Sequence, residues 1–348
     1  MTKKREFKSV CSDLDQDASR QIISDYREGK KHLVVTPKKG EAMDTCATIH
    51  EQYVCCNVKV LKSVSNCPFD CSYCFLQNYL NDGTTKVVGD TAALMAEVHE
   101  KTAAQPWRFF RIGTWELGDS LALEEEVGQA SQLIEAFKDV PNAVLELKTK
   151  SDVVDPIIGL DHQHKTVVSW SMSPAAIIDS QEHRTASLEE RLIAIEKVVK
   201  DGYLVGFHFD PMIVYPNWES DYRELAKTIL SIAPANQIAW ISMGSLRFNP
   251  EMKRTMEMNF PASELSLAEM VLGSDGKMRY VKPLRTQMYQ SLYQSLQDHA
   301  DGPLFLYLCM ERWDVWDAIF GSHPDSIGHL DYLFAESMRA RFPQLAVP

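Results

Sequence analysis

Cys67-Pro-Phe-Asp-Cys71-Ser-Tyr-Cys74 places three cysteines at C-x3-C-x2-C spacing. Three thiolates so spaced can hold three irons of a 4Fe–4S cube. The fourth iron is then left without a protein ligand and open to a small molecule. Chemistry at a cluster needs such an open corner, whereas a cluster that only carries electrons usually has four protein ligands. The same residues could instead be buried structural thiols, or part of a zinc site completed from elsewhere. Zinc sites favour paired C-x2-C knuckles, and no second knuckle is visible.

Outward from this loop, apolar β-rich runs recur and are followed by helical stretches. Candidate strands are Val58–Ser63, Phe109–Gly113, Ala143–Lys148, Thr166–Ser171, Tyr203–Phe209 and Gln237–Met243. Ser187 and Glu190 form a capping box before a helix from Leu188 to about Lys200, with Leu188, Leu192, Ile195 and Val199 as its apolar stripe. Gly202 ends that helix. A second helix is predicted over Leu123–Lys138. Alternating strands and helices predict an α/β fold with a parallel sheet, and about six units suit an incomplete (β/α)6-type barrel. The cysteine loop follows the first strand, at the barrel end where chemistry is carried out.

The predicted organisation is an N-terminal extension over 1–55, a partial barrel over 56–245, and an appended C-terminal α+β subdomain over 246–348. In the last of these, Gly273-Ser-Asp-Gly276 reads as a hairpin turn. Lys277, Arg279, Lys282 and Arg285 bracket that hairpin, with Arg247, Lys253 and Arg254 upstream. This basic hairpin could hold nucleic-acid phosphates or be a solvated basic face.

The chain has 348 residues, 45% apolar and 24% charged, as in an ordinary globular protein. Its net charge of −12 argues against broad, non-specific nucleic-acid affinity, though not against a local basic patch. The polar start Met1-Thr-Lys-Lys-Arg-Glu-Phe lacks the apolar core of a secretion signal. No apolar run approaches the roughly 20 residues of a membrane span. No membrane partner is therefore expected, and the cytoplasm is the expected compartment. Cys11, Cys46, Cys55, Cys56 and Cys309 are scattered without a framework spacing. If Cys55 and Cys56 lie on a strand they face opposite ways.

With its cysteine loop after the first strand, the chain resembles the radical S-adenosylmethionine (SAM) enzymes, and among them the spore photoproduct lyase family. Similar stretches are Cys71-Ser-Tyr-Cys-Phe-Leu-Gln77, Leu147-Lys-Thr-Lys150, Val168-Ser-Trp-Ser-Met172, Glu190-Arg-Leu192, Gly202-Tyr-Leu-Val-Gly-Phe207, Leu246-Arg-Phe248 and Gly276-Lys-Met-Arg-Tyr280. The resemblance implies a cluster held by Cys67, Cys71 and Cys74, with SAM chelated at the open iron. One electron, from a donor such as flavodoxin or ferredoxin, then yields a 5′-deoxyadenosyl radical. That radical abstracts hydrogen from a DNA lesion, a thymine photoproduct. The resemblance further implies that Gly113, Thr114 and Glu116 contact the SAM amino group. Lys150 and Ser171 would bind its carboxylate, with Lys148 a rival cation, and Arg247, Lys277, Arg279 and Lys282 would meet nucleic acid. A carboxylate calls for a cation and a hydroxyl donor, which agrees with the residue types.

Two departures stand out. The family returns a hydrogen atom through a cysteine beyond the second strand, and Arg111–Ser120 contains none. The family also has tyrosine directly after its third cluster cysteine, where this chain has Phe75. Tyr73 or Cys309 could supply the hydrogen, or the substrate could differ. A reading from another class is a non-catalytic metal-binding module that docks nucleic acid. His162 and His164 read as surface residues, and Asp119-Ser120 as a helix cap. His208 and Asp210, at a strand end, read equally as substrate contacts or a structural pair.

Overall fold

The parallel strands are nearly continuous apolar runs, because a sheet covered by helices buries residues of both phases. All six residues of Thr166–Ser171 and all eight of Ile238–Ser245 are buried. The computed structural model describes residues 9–12, 26–46, 50, 52–345 and 347–348, with no side chains for 9–12. The polar start of the chain and the Cys11 side chain lie outside what is described.

Seven parallel strands of the described residues form one curled sheet: β1 (Lys59–Leu61), β2 (Phe110–Gly113), β3 (Ala143–Thr149), β4 (Thr166–Ser171), β5 (Leu204–Met212), β6 (Ile238–Ser245) and β9 (Leu306–Leu308). They pair in the order β9-β6-β5-β4-β3-β2-β1, with Met43–Thr45 antiparallel against β1. The six expected strands are present, each within a few residues of its expected bounds. The seventh, β9, comes from the region expected to lie outside the barrel and pairs in parallel with β6. The sheet does not close on itself. An isolated antiparallel bridge, Val54 to Glu311, ties the segment ahead of β1 to the segment after β9.

Two expectations need adjusting. The helix over Leu123–Lys138 breaks at Gly128, whose positive φ of 64° ends Glu124–Val127 before α4 (Gln129–Phe137) begins. The helix α5 (Leu188–Lys200) carries the full capping box, but it buries Arg191, Ala194, Ile195 and Val198. Leu188, Leu192 and Val199 lie at the rim of that face.

The barrel interior is polar at one level. Glu146 of β3 accepts from Arg111 Nε (2.9 Å), Trp115 Nε1 (2.9 Å), Ser169 Oγ (2.9 Å) and Trp240 Nε1 (3.1 Å), and lies 2.8 Å from His208 Nε2. Gly206 of β5 is required here, since a Cβ would lie 2.4 Å from Ser169 Oγ and 2.8 Å from Trp240 Nε1. Among the described residues no helix is long and apolar enough to cross a membrane.

After β6 comes a small antiparallel sheet of Arg247–Phe248, β7 (Met270–Leu272) and β8 (Met278–Tyr280), the hairpin expected from its turn sequence.

Candidate active site

The loop after β1 is held by side chains rather than by regular structure. Gln77 Nε2 donates to the carbonyls of Ser72 (3.0 Å) and Cys74 (3.2 Å), Ser72 N donates to Gln181 O (2.9 Å), and Ser72 Oγ donates to Gln181 Oε1 (2.6 Å). Asp70 and Cys71 pair antiparallel with His183 and Glu182. Cys67 and Cys71 pack with Phe69, Leu76 and Ala122, and Cys74 lies at the edge of that apolar group. Burial first, then the Asp119 carboxylate, pushes the Cys67 thiol up to about 12. Burial also holds the Cys71 thiol well above its ordinary range. Ligation of a metal must therefore displace protons here.

All three thiols open onto a cavity of about 500 Å³ at the C-terminal ends of the strands. Its wall includes Cys46, Cys55, Cys56 and Cys309, so each of the seven described cysteines lines the same space. Cys55 and Cys56 lie on irregular backbone rather than a strand, and both reach the cavity. No three His, Cys, Asp or Glu of the described residues converge on a point for a single ion. A cube spreads its three thiolates over three separate irons, and it suits an apolar, largely enclosed loop. The donor set fits a cube.

The profile of the spore photoproduct lyase family matches residues 11–305. The chain belongs to the spore photoproduct lyase family. Spore photoproduct lyase of Bacillus subtilis is 26% identical over 283 residues, covering 80% of this chain and 78% of that protein. The Clostridium acetobutylicum enzyme is 24% identical, covering 70% of each. A solved spore photoproduct lyase complexed with dinucleoside spore photoproduct superposes with a TM-score of 0.75 at 19% identity, covering 88% of this chain and all of the other. A variant with bound AdoMet and dinucleoside spore photoproduct gives 0.73 at 20%, covering 87% and 98%. The lyase family is one of enzymes, which leaves the non-catalytic binding module without support.

The expected site residues fall into two groups. Glu116, Lys150, Ser171, Tyr73, Cys309, Arg247 and Lys277 line the cavity. Gly113 and Thr114 do not. A Cβ on Gly113 would lie 2.4 Å from Trp115 Nε1, and the buried Thr114 hydroxyl donates to Ser120 Oγ at 2.7 Å, so both serve the strand end. Glu116 accepts from Cys46 Sγ at 3.3 Å. The Tyr73 hydroxyl donates to Glu182. Lys148 also lines the cavity, its amine 4.5 Å from the Trp115 ring, and burial lowers its pKa.

The basic residues are similarly divided. Arg279 is buried, paired with Asp275 at 2.5 Å and donating to Met310 O at 3.0 Å. Its guanidinium fastens the hairpin and is not presented to a ligand. Lys282 is exposed and paired with Asp314 at 2.7 Å, away from the cavity. Arg285 is buried against Glu311 at 2.8 Å. Arg247 chelates Asp210 at 2.8 and 3.1 Å on the cavity wall and donates to Cys309 Sγ at 3.4 Å. His208 lies between Glu146 and Ser242 Oγ (3.0 Å) and lines the cavity. His162 stacks on Tyr203 at 3.8 Å and is buried rather than on the surface. Asp119 caps the turn through the backbone N–H groups of Leu121 and Ala122, and also accepts from Thr149 Oγ1 (2.7 Å) and Lys150 N (2.8 Å).

Glu182 escaped the sequence reading. It accepts from Arg191 Nη2 (2.6 Å) and Ser173 Oγ (2.9 Å), lies 3.6 Å from Lys150 Nζ, and pairs through its backbone with Cys71. Lys150 and Arg191, with the Tyr73 hydrogen bond, more than offset burial and hold its carboxyl at about 2. No local pattern marks it, because its partners are distant in sequence.

Proposed function

We propose that this cavity carries out radical SAM chemistry on a nucleic-acid lesion of the spore photoproduct type. The observation that carries the reading is that the three loop thiols open onto the same cavity as Lys150, Ser171 and Glu116. Cys67, Cys71 and Cys74 would hold a 4Fe–4S cluster, which together with SAM would supply radical chemistry to this cavity. Lys150, steadied by Glu182, and the Ser171 hydroxyl suit the SAM carboxylate, and Glu116 suits its ammonium. Gly113 and Thr114 support that wall from behind. Tyr73 steadies Glu182 and is set aside as a hydrogen donor.

Cys309 is our choice to return the hydrogen atom that Arg111–Ser120 and Phe75 cannot. Its thiol faces the cavity, and burial and Asp210 push its pKa up, so the sulfur keeps its hydrogen. Donation forms a C–H bond and leaves a thiyl radical. One electron from the donor that serves the cluster, and one proton, restore the thiol. A low-potential flavodoxin or ferredoxin fits that task and would place the reaction in the cytoplasm. Arg247 and Lys277 suit the phosphates of a damaged DNA strand. Residues 246–300 then act as a substrate-binding subdomain, while β9 belongs to the barrel sheet.

Anaerobic reconstitution is expected to give about four irons per chain. With dithionite the protein should release 5′-deoxyadenosine from SAM, and Cys67→Ala should abolish both. A reconstituted cluster that does not cleave SAM overturns the reading. The two missing donors favour a second reading, radical SAM chemistry on another substrate. Stoichiometric recovery of thymine from spore-photoproduct dinucleotide would exclude it.

A further inference from the structure

Beneath the cysteine loop lies a buried cation with no part in the chemistry above. Lys30 is 1% exposed, donates to the Phe69 carbonyl and lies 3.4 Å from Asp70 Oδ1. Its amine also sits 4.2 Å from the centre of the Tyr26 ring. Tyr26, on the short helix α1 (Tyr26–Gly29), donates its hydroxyl to Cys74 Sγ at 3.9 Å. Arg27 reaches the same Asp70 carboxylate at 3.2 Å. Two cations thus share one anion, leaving one positive charge in excess beside the loop. The segment is also closely seated, since a Cβ on Gly29 would lie 2.2 Å from the Gly83 carbonyl carbon.

Burying an ammonium with an incomplete partner is costly. Three ligating thiolates around iron would supply the missing negative charge. On the far side of the loop Asp119 already accepts four hydrogen bonds. Beside Cys71, Lys150 and Arg191 likewise share one carboxylate, Glu182.

We infer that Tyr26 and Lys30 are positioning residues that raise the reduction potential of the group held by Cys67, Cys71 and Cys74, through a hydrogen bond to the Cys74 sulfur and a buried positive charge. The inference rests on the radical SAM reading. Reduction adds one negative charge to a cluster, and donors to its sulfurs and nearby cations stabilise that added charge.

The test is a potentiometric titration of the anaerobically reconstituted full chain, reading the reduced cluster by electron paramagnetic resonance. Tyr26→Phe keeps the ring and loses the hydroxyl. Lys30→Met keeps the aliphatic stem and loses the charge. Each should move the midpoint to a more negative value at wild-type iron content. Wild-type midpoints in both variants overturn the inference. If Lys30→Met fails to fold, an unshifted midpoint in Tyr26→Phe overturns it alone. Wild-type protein without any reducible cluster would instead refute the radical SAM reading, so the two failures are distinguishable.

Discussion

Glu182 joins two functions in one residue, since its backbone pairs with Cys71 and its carboxylate approaches the Lys150 amine at 3.6 Å. Glu182→Gln leaves Arg191 buried without its carboxylate and should cost about 3–5 kcal/mol in a urea unfolding titration. His208 gives a pH prediction. Burial first, and Lys148 second, lower its pKa from 6.5 to about 4. Between those values the unfolded chain binds a proton that the folded chain does not. Stability should therefore fall as pH drops from about 6.5 to about 4, then level off for this group. Glu182, depressed from 4.5 to about 2, adds a further loss across that lower window. Melting temperatures against pH should show the first slope in wild type and not in His208→Gln. At this scale legibility is uneven. Glu146 could have been found, because it interrupts an apolar strand in phase with Lys148 and Lys150. Glu182 could not, because it stands in a polar segment and gains its meaning from residue 71.

Among the elements, the hairpin shows how charge in a sequence differs from charge available to a ligand. The turn was readable from Gly273-Ser-Asp-Gly276. The pairing of Asp275 with Arg279 within it was not, because an ion pair depends on side-chain direction rather than composition. Lys277 lines the cavity, whereas Arg279 is tied down. Lys277→Ala should lower the salt dependence of lesion-oligonucleotide binding by about one ion. Arg279→Lys should loosen the hairpin with little change in that slope. The helix α5 offers a simpler case, since both halves of its capping box are in place, with Ser187 N donating to Glu190 at 2.8 Å and Glu190 N to Ser187 Oγ at 3.3 Å. Ser187→Ala should cost about 1 kcal/mol by chemical denaturation.

For the whole molecule, the alternation of strand and helix was enough to read an open parallel barrel, because burial on both faces writes continuous apolar runs. The three-residue strand Leu306–Leu308 was hidden, being short and separated from the rest by the hairpin and the long helix Lys282–His299. The convergence of Cys46, Cys55, Cys56 and Cys309 was hidden for the same reason. The bridge from Val54 to Glu311 draws the two ends of the sheet together, and no local pattern announces it. If the cluster binds only the folded chain, stripping its iron with a chelator should lower the melting temperature by mass action, which calorimetry of the two forms would register.

The late position of β9 also bears on biosynthesis. Chains emerge from the ribosome N-terminus first. The thiol loop is thus made long before the strand that finishes the enclosure around it, leaving a period in which oxygen reaches it unhindered. Maturation by iron–sulfur assembly factors should accordingly follow release of the polypeptide. Stalled translation products ending near residue 245 should be recovered free of iron.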